Sequence, residues 1–157
     1  TDSLVYKLEM FPIECVIRNR ASGSICKRLG TEDGLILENP LFEFFLKDDS
    51  KHDPLLTPDR VKLMGIDPRP LQEQASLIND NLLTIFNLIG MDLIDFKVEF
   101  GIDNHGELLL ADEISPDSMR LWDKENQDRF DKDLFRLDEG DLVPAYRTIL
   151  EKLQAFI

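Results

Sequence analysis

The sequence predicts an α+β domain in which an antiparallel sheet packs against helices. Three features support this fold class: an alternating strand with a turn and a returning strand after it, a long amphipathic helix in mid-chain, and a second amphipathic helix at the carboxyl end. The 157 residues, 43% of them hydrophobic, suffice for one core and are too few for two comfortable ones. We therefore expect a single domain over residues 1–157.

Two strands are predicted at the amino end. Residues 4–8 alternate in the manner of a strand, and Pro12 allows a bend before a second strand over residues 13–19. In the second strand one face is apolar and is expected to enter the core. It carries Ile13, Cys15 and Ile17.

A short helix over residues 25–29, closed by Gly30, follows a Gly23-Ser24 pair. Such a pair at a helix start offers backbone N–H groups and a hydroxyl, and with Arg18 just upstream and Lys27 and Arg28 inside the helical turn it fits a phosphate site. The alternative is that Ser24 is an ordinary N-cap residue.

The middle of the chain predicts a buried strand, a polar loop and the long helix. The strand covers residues 41–46, and the loop at 47–54 is either a solvated charge run or a functional loop holding His52 beside Asp53. The helix begins at Asp67-Pro68 and ends at Gly90. Its expected buried stripe is Leu71, Ala75, Ile78, Leu82, Ile85 and Ile89.

The stretch from residue 93 to residue 117 is the most informative. At strand period, Leu93, Asp95, Lys97 and Glu99 share one face, and the apolar residues 94, 96, 98 and 100 share the other. A turn at 103–106 and a returning strand at 107–114 would bring Asp112 or Glu113 towards Glu99. Two converging carboxylates suit Mg²⁺ when phosphates supply its other ligands. The alternative is a solvated sheet face with alternating charges.

The last part of the sequence is expected to be irregular over residues 115–123 and 131–136, and helical from about Asp141. Exposed salt bridges are the ordinary explanation for arginines in such loops. The residues expected to face inward in the terminal helix are Leu142, Ala145, Tyr146, Ile149, Leu150 and Leu153.

Composition excludes several classes of protein. A net charge of −13 argues against nucleic-acid and anionic-membrane partners, although a local cationic cluster could still bind small anions. Cys15 and Cys26 are expected to be reduced and packed as small hydrophobic residues. The apolar run 82–94 is too interrupted to cross a membrane, and no signal peptide is evident. These features predict a cytoplasmic protein.

Several motifs in order resemble one family, phosphoribosylaminoimidazole-succinocarboxamide synthase (SAICAR synthetase). Residues 11–18 (FPIECVIR) with Ser22-Gly23-Ser24 resemble its first signature, and residues 93–101 (LIDFKVEFG) resemble its second. Further matching segments follow the family's order. They are 52–54 (HDP), 111–117 (ADEISPD), 120–123 (RLWD) and 131–133 (DKD).

The resemblance implies an antiparallel sheet with packed helices and a nucleotide cleft like that of kinases and ATP-grasp enzymes. It implies a ligase of purine biosynthesis that joins carboxyaminoimidazole ribonucleotide to L-aspartate, releasing ADP and phosphate, with ATP as co-substrate and Mg²⁺ as cofactor. Assembly as a homo-oligomer is possible within the family. Ser22 stands where the family usually has Ala or Thr, and an amino-terminal ATP-binding portion expected in the family is absent. Residues 1–20 would include the hinge-like strands that join that portion.

The resemblance also assigns roles to residues. Lys97 and Asp95 are the expected catalytic residues, at the reacting carboxylate and the aminoimidazole end, and Glu99 and Asp112 the metal and ATP-phosphate ligands. Substrate binding is expected at Arg18, Ser24, Asp53, Asp117, Arg120 and Arg136, and adenine binding near Lys7 and Met10. Two other functions stay open: a non-catalytic nucleotide-binding protein, and a small-molecule kinase with the same Mg²⁺ site.

Overall fold

The computed structural model describes residues 4–130 and 142–156, and they form an antiparallel sheet with packed helices. The strands are β1 (Glu9–Met10), β2 (Ile13–Arg20), β3 (Ile36–Leu46), β4 (Leu55–Leu56), β5 (Met91–Ile102), β6 (Leu108–Ala111) and β7 (Met119–Asp123). The α-helices are α1 (Ser24–Leu29), α2 (Pro58–Leu63), α3 (Pro68–Leu88) and α4 (Leu142–Phe156). Two 3₁₀ turns cover Asp49–Lys51 and Pro116–Ser118. The predicted fold class is confirmed.

Strand β5 is the centre of the sheet because four other strands pair with it. Its first half lies between β2 and β7, and its second half pairs with β1 and β6. Beyond β2 the sheet continues through β3 to β4. All of these pairings are antiparallel. The backbone of β5 is therefore held by ladder hydrogen bonds on both edges, which fixes the direction of each of its side chains.

The main core lies between one face of the sheet and α3. The helix starts where predicted: the Asp67 carboxylate accepts a hydrogen bond from the backbone N–H of Arg69, and Pro68 occupies the first turn. The predicted stripe is correct at Leu71, Ala75, Leu82 and Ile89, partly buried at Ile78, and wrong at Ile85, which is 40% exposed. Phe86 is buried instead, because it lies four residues after Leu82 and so shares its face.

Strand β5 departs from strict alternation. Leu93 pairs with Leu121 and Asp95 pairs with Arg120, so Ile94 is an extra residue in the ladder between β5 and β7. The bulge places Leu93 in the main core, whereas Ile94 is buried outside it. The prediction that Leu93 shares the face of Asp95 is therefore wrong. The apolar face of β2 is buried as predicted.

Four other predictions are corrected. Residues 4–8 form no strand, since pairing begins only at Glu9 and Leu4, Val5 and Tyr6 are exposed. The returning strand β6 ends at Ala111, three residues early. The segment predicted to be irregular at 115–123 contains β7, which pairs with β5 and buries Met119, Leu121 and Trp122.

The fourth correction concerns the carboxyl-terminal helix. Ala145 and Ile149 in α4 are buried, but Leu150 is exposed. The predicted start at Asp141 lies outside the described residues, as does the segment 131–136. Within the described ranges, none of the helices is long and apolar enough to cross a membrane.

Candidate functional site

A cleft of about 930 Å³ lies on the face of the sheet opposite the main core. Its floor comes from β2, β3, β5 and β7, and α1 forms one wall. Because side chains alternate between the faces of a strand, the core residues of β2 and β5 leave their polar neighbours in this cleft. Six of the predicted site residues line it: Arg18, Ser24, Asp53, Asp95, Lys97 and Arg120.

Asp95 is held between two arginines from the neighbouring strands. It pairs with Arg18 on β2 and with Arg120 on β7. Its Oδ2 lies 2.6 Å from Arg18 Nη1 and 2.8 Å from Arg120 Nη1, and the Asp95 residue is only 3% exposed. The register of β5 with β2 and β7, including the bulge at Ile94, therefore places the triad of Arg18, Asp95 and Arg120 in contact.

Arg18 extends the triad to further groups. Its Nε donates to the Glu43 carboxylate at 2.7 Å, and its Nη2 donates to the Ser24 hydroxyl at 3.3 Å. The other Glu43 oxygen accepts a hydrogen bond from Arg28. Three guanidinium groups thus meet two carboxylates, which leaves a net positive charge at this end of the cleft. Such a cluster attracts an anion in an otherwise acidic protein.

The Gly23-Ser24 pair lies against this cluster. Gly23 has φ +66°, and a Cβ built there would lie 2.4 Å from Arg120 Nη2, so only glycine allows this close approach. Ser24 is the first residue of α1, and its neighbour Gly23 occupies the cap position. The alternative that Ser24 is an ordinary N-cap residue is therefore wrong. The phosphate site, as defined here, consists of Arg18, Gly23, Ser24 and Arg120.

Lys97 and Glu99 lie farther along the same face of β5. The Lys97 ammonium is 2.8 Å from Glu14 Oε1 and 3.6 Å from Glu99 Oε1. Burial alone would lower the pKa of Lys97, but the hydrogen bond with Glu14 and the charges of Glu14 and Glu99 outweigh burial and raise it. Glu99 is 5% exposed and also pairs with Lys47. Two ammonium groups thus accompany one buried carboxylate.

The β5–β6 hairpin brings Asp112 close to this group. Glu99 pairs with Ala111, and Asp112 follows directly with φ +70°. A hydrogen bond with Glu113 lowers the pKa of Asp112, and the positive charges of Lys97 and Lys47 lower it further. The predicted approach of Asp112 to Glu99 is therefore supported by the register and by the shared lysines.

The donor set around Glu99 fits Mg²⁺ of the phosphate-bound kind. Mg²⁺ is commonly held by one or two carboxylates, with phosphates and water completing its shell. Glu99 and Asp112 offer two hard oxygen donors, and the Lys47 and Lys97 ammonium groups that pair with Glu99 supply positive charge for phosphates bound nearby. Across the described ranges no group of three or more His, Cys, Asp or Glu side chains is placed to hold a metal by itself.

The remaining predicted residues lie less directly in the cleft. Asp53 lines it, but its Oδ1 accepts a hydrogen bond from the Asp48 backbone N–H at 2.8 Å. Asp117 is exposed on the second 3₁₀ turn and is not among the lining residues. Lys7 is exposed before β1, and Met10 pairs with Gly101 beyond Glu99. Arg136 lies outside the described residues.

Sequence reasoning missed three charged groups of the site: Glu14, which lines the cleft, and Glu43 and Lys47, which pair with Arg18 and Glu99. Glu14 alternates with the buried residues Ile13 and Cys15, so its direction was readable from the strand pattern. The pairings of Glu43 and Lys47 with other strands depend on register across the sheet, which no local pattern contains.

Comparisons with known proteins agree with this geometry. The family model described as SAICAR synthetase matches residues 1–153. A phosphoribosylaminoimidazole-succinocarboxamide synthase of Staphylococcus saprophyticus is 48% identical over 99% of this chain and 68% of its own length. The synthase of that name from Shouchella clausii is 47% identical over 98% of this chain and 66% of its own length.

Solved structures give the same result. A SAICAR synthetase (Type-2) in complex with ADP superposes with a TM-score of 0.92 at 41% identity, over 95% of this chain and 65% of that one. The SAICAR synthetase of Pyrococcus horikoshii OT3 superposes with a TM-score of 0.90 at 41% identity, over 95% and 67%. The chain thus spans about two thirds of the length of these relatives. From the motifs, the sheet register and these matches, the chain belongs to the SAICAR synthetase family.

Proposed function

We propose that this chain forms the ribonucleotide- and metal-binding part of an ATP-dependent ligase of purine biosynthesis. The reaction joins the carboxylate of carboxyaminoimidazole ribonucleotide to the amine of L-aspartate and releases ADP and phosphate. The observation that supports this most is the cleft itself, which is lined both by the cationic phosphate site and by Lys97, two residues before Glu99 on β5. These two sites match the two ends of a substrate that carries a phosphate at one end and, at the other, a carboxylate that must react with ATP.

The ribonucleotide phosphate is proposed to bind at the phosphate site. Arg120 Nη2 lies against Gly23, and the Ser24 hydroxyl is held by Arg18. Asp95 keeps both guanidinium groups in place through its two short ion pairs and stands nearest the proposed aminoimidazole end. Asp53 and Asp117 are proposed for the ribose or the aminoimidazole, and Arg136 for a further substrate contact.

Lys97 is proposed to act at the reacting carboxylate. A carboxylate is a poor electrophile, so the reaction needs ATP to convert it to an acyl phosphate, which the amine of L-aspartate then attacks. Lys97 remains charged at neutral pH, since its pKa is raised, and it neutralises charge on the carboxylate or on the transferring phosphoryl group. Its bond to Glu14 holds the ammonium in the cleft.

ATP is proposed to lie beyond Lys97, at the second half of β5. Glu99 and Asp112 would hold Mg²⁺, which neutralises charge on the ATP phosphates when bound. Lys7 and Met10 are proposed to lie near adenine, since Met10 of β1 pairs with Gly101 of β5, two residues after Glu99. The ADP complex of a relative with TM-score 0.92 supports nucleotide use by this fold.

A chimera tests the proposal. Residues 1–157 replace the matching segment of the S. saprophyticus synthase, and ADP release is measured with ATP, Mg²⁺ and carboxyaminoimidazole ribonucleotide, with and without L-aspartate. We expect release only when both substrates are present. The 157-residue chain alone is expected to release little ADP, because it spans two thirds of its relatives.

Other outcomes would contradict the ligase. Release that does not depend on L-aspartate would indicate a kinase or an uncoupled ATPase. A chimera that folds but releases no ADP would indicate a binding role. The unmodified S. saprophyticus enzyme is the positive control for the assay.

A further inference from the structure

Arg28, a member of the cationic cluster to which no substrate group has been assigned above, is fixed at the cleft wall in a manner typical of a binding group. One of its nitrogens, Nη2, pairs with the buried carboxylate of Glu43, which Arg18 holds from the other side. Its guanidinium lies over the Phe45 ring, with Cζ 5.4 Å from the ring centroid. Both contacts restrict the side chain before any ligand arrives, which reduces the entropy lost on binding.

The remaining guanidinium edge of Arg28 is available to a ligand. The Arg28 side chain is 34% exposed and lines the cleft. In the described part of the chain, its Nε and Nη1 make no hydrogen bond or ion pair. A guanidinium fork with two open N–H positions matches the geometry of a carboxylate, and it binds one in a bidentate manner better than a lysine does.

Arg28 lies between the phosphate site and the Glu14–Lys97 pair. Its partner Glu43 also holds Arg18 of the phosphate site. Phe45, beneath Arg28, pairs with Glu14 across β3 and β2, and Glu14 holds Lys97. Arg28 therefore borders both the phosphate site and the group proposed to act at the reacting carboxylate.

We propose that Arg28 binds a carboxylate of the amino-acid substrate, L-aspartate in the reaction proposed above. The inference rests on that proposed function. Arg28 holds the carboxylate while the amine points to the carbonyl carbon near Lys97, and Glu43 is the positioning residue that fixes Arg28 for this purpose. Bidentate anchoring of this kind orients a nucleophile for attack.

The test measures binding to the 157-residue chain itself, so it does not depend on turnover. L-Aspartate is titrated by calorimetry with ribose 5-phosphate present at saturation, and ribose 5-phosphate is titrated separately. In Arg28→Ala we expect L-aspartate affinity to fall at least roughly tenfold, the usual effect of losing a charged hydrogen-bonding group, with ribose 5-phosphate affinity within about twofold.

Two variants serve as controls. Arg28→Lys keeps the charge and can still pair with Glu43, but it lacks the fork, so we expect a smaller loss of L-aspartate affinity. Arg69→Ala removes the same charge from an exposed residue that pairs with Asp67 at the start of α3. It should bind both ligands as the wild type does.

Several results would overturn the proposal. One is an equal loss of L-aspartate affinity in Arg28→Ala and Arg69→Ala, which would show that Arg28 contributes only to the overall charge of the protein. Another is a loss of ribose 5-phosphate binding in Arg28→Ala with L-aspartate unaffected, which would place Arg28 in the phosphate site. Wild-type binding of ribose 5-phosphate without L-aspartate would refute the Arg28 proposal alone, whereas binding of neither ligand would refute the proposed function.

Discussion

The two halves of β5 differ in how completely this chain surrounds them. At Asp95 the strand lies between β2 and β7, and the carboxylate is enclosed by arginines from both. At Glu99, about 13 Å farther along, the partners are the partly exposed Lys47 and Lys97, and the nearby segment 4–6 is exposed. Under the proposed function, the first half is a finished binding site, whereas the second carries charged groups that still need phosphates to complete them.

The largest expected effect is at the enclosed half. Asp95→Asn leaves Arg18 and Arg120 buried beside a neutral amide, and loss of one partner of a buried ion pair costs about 3–5 kcal/mol. Urea unfolding should show a loss of stability of this size. Asp92→Asn is the control, since Asp92 pairs with Arg20 at a more exposed position and should cost far less. Equal losses in the two variants would contradict the difference in enclosure.

Gly23→Ala should act on binding more than on stability. The new Cβ would displace the Arg120 guanidinium, and the positive φ at residue 23 adds about 1–2 kcal/mol of strain. We expect ribose 5-phosphate binding to be lost and the fold to be kept, measured by calorimetry and circular dichroism. Gly30→Ala, with a similar φ and open space around the Cβ, controls for strain alone. Equal loss of binding in both variants would argue against the role of Arg120.

Glu99→Gln should affect the function of the second half of β5 and leave that of the first half unchanged. The amide can still accept a hydrogen bond from Lys47, and the pairs it loses are with partly exposed lysines, so we expect the stability to change by less than about 1 kcal/mol. Mg²⁺-dependent ADP release by the chimera should be abolished, while ribose 5-phosphate binding to the chain should persist. Activity that survives the substitution would show that Glu99 is not a metal ligand.

The smallest expected effect is the pH dependence of stability. Because the pKa of Asp112 is lowered in the fold, its ionised form contributes stability above its unfolded pKa of about 3.9, and that contribution is lost as the pH falls through the lowered value. Because the pKa of Lys97 is raised, its contribution is complete below about 10.4 and is lost as the pH rises through the folded value. Urea midpoints across pH should therefore decline at both limits.

Two variants test which residue causes the loss of stability at acid pH (the acid limb) and at alkaline pH (the alkaline limb). In Asp112→Asn the loss of unfolding free energy at acid pH should become smaller, by well under about 1 kcal/mol because the carboxylate is exposed. Lys97→Met should flatten the alkaline limb. An acid limb that is unchanged in Asp112→Asn would show that its hydrogen bond with Glu113 and the nearby lysines do not act on Asp112 as described.

Much of the fold was predictable because it depends on local pattern. Strand β2, the hairpin after β5 and the start of α3 follow from alternation, a turn and a cap, each contained in a few neighbouring residues. Strand β7 was missed because it has only five residues, directly follows a polar turn that contains Pro116, and depends on pairing with β5. The strand expected at 4–8 failed for the converse reason, since alternation without a partner forms no ladder.

The candidate site was predictable residue by residue but not as a network. The motifs named Arg18, Asp95 and Arg120, and the register then placed all three in contact. The bulge at Ile94, which sets this register, was not predicted because Leu93 and Ile94 were placed on opposite faces of a regularly alternating strand. Glu43, and its pairing with Arg18 and Arg28, was missed because it depends on side chains far apart in sequence that meet only in the folded sheet.

The most direct test of the central claim is calorimetric titration of the 157-residue chain with carboxyaminoimidazole ribonucleotide in the absence of ATP and Mg²⁺. If the first half of β5 is a finished site, the wild type and Glu99→Gln should bind one equivalent with similar affinity, and Gly23→Ala should not bind. No binding by the wild type, or equal loss in Glu99→Gln and Gly23→Ala, would contradict the division of β5 into a finished and an unfinished half.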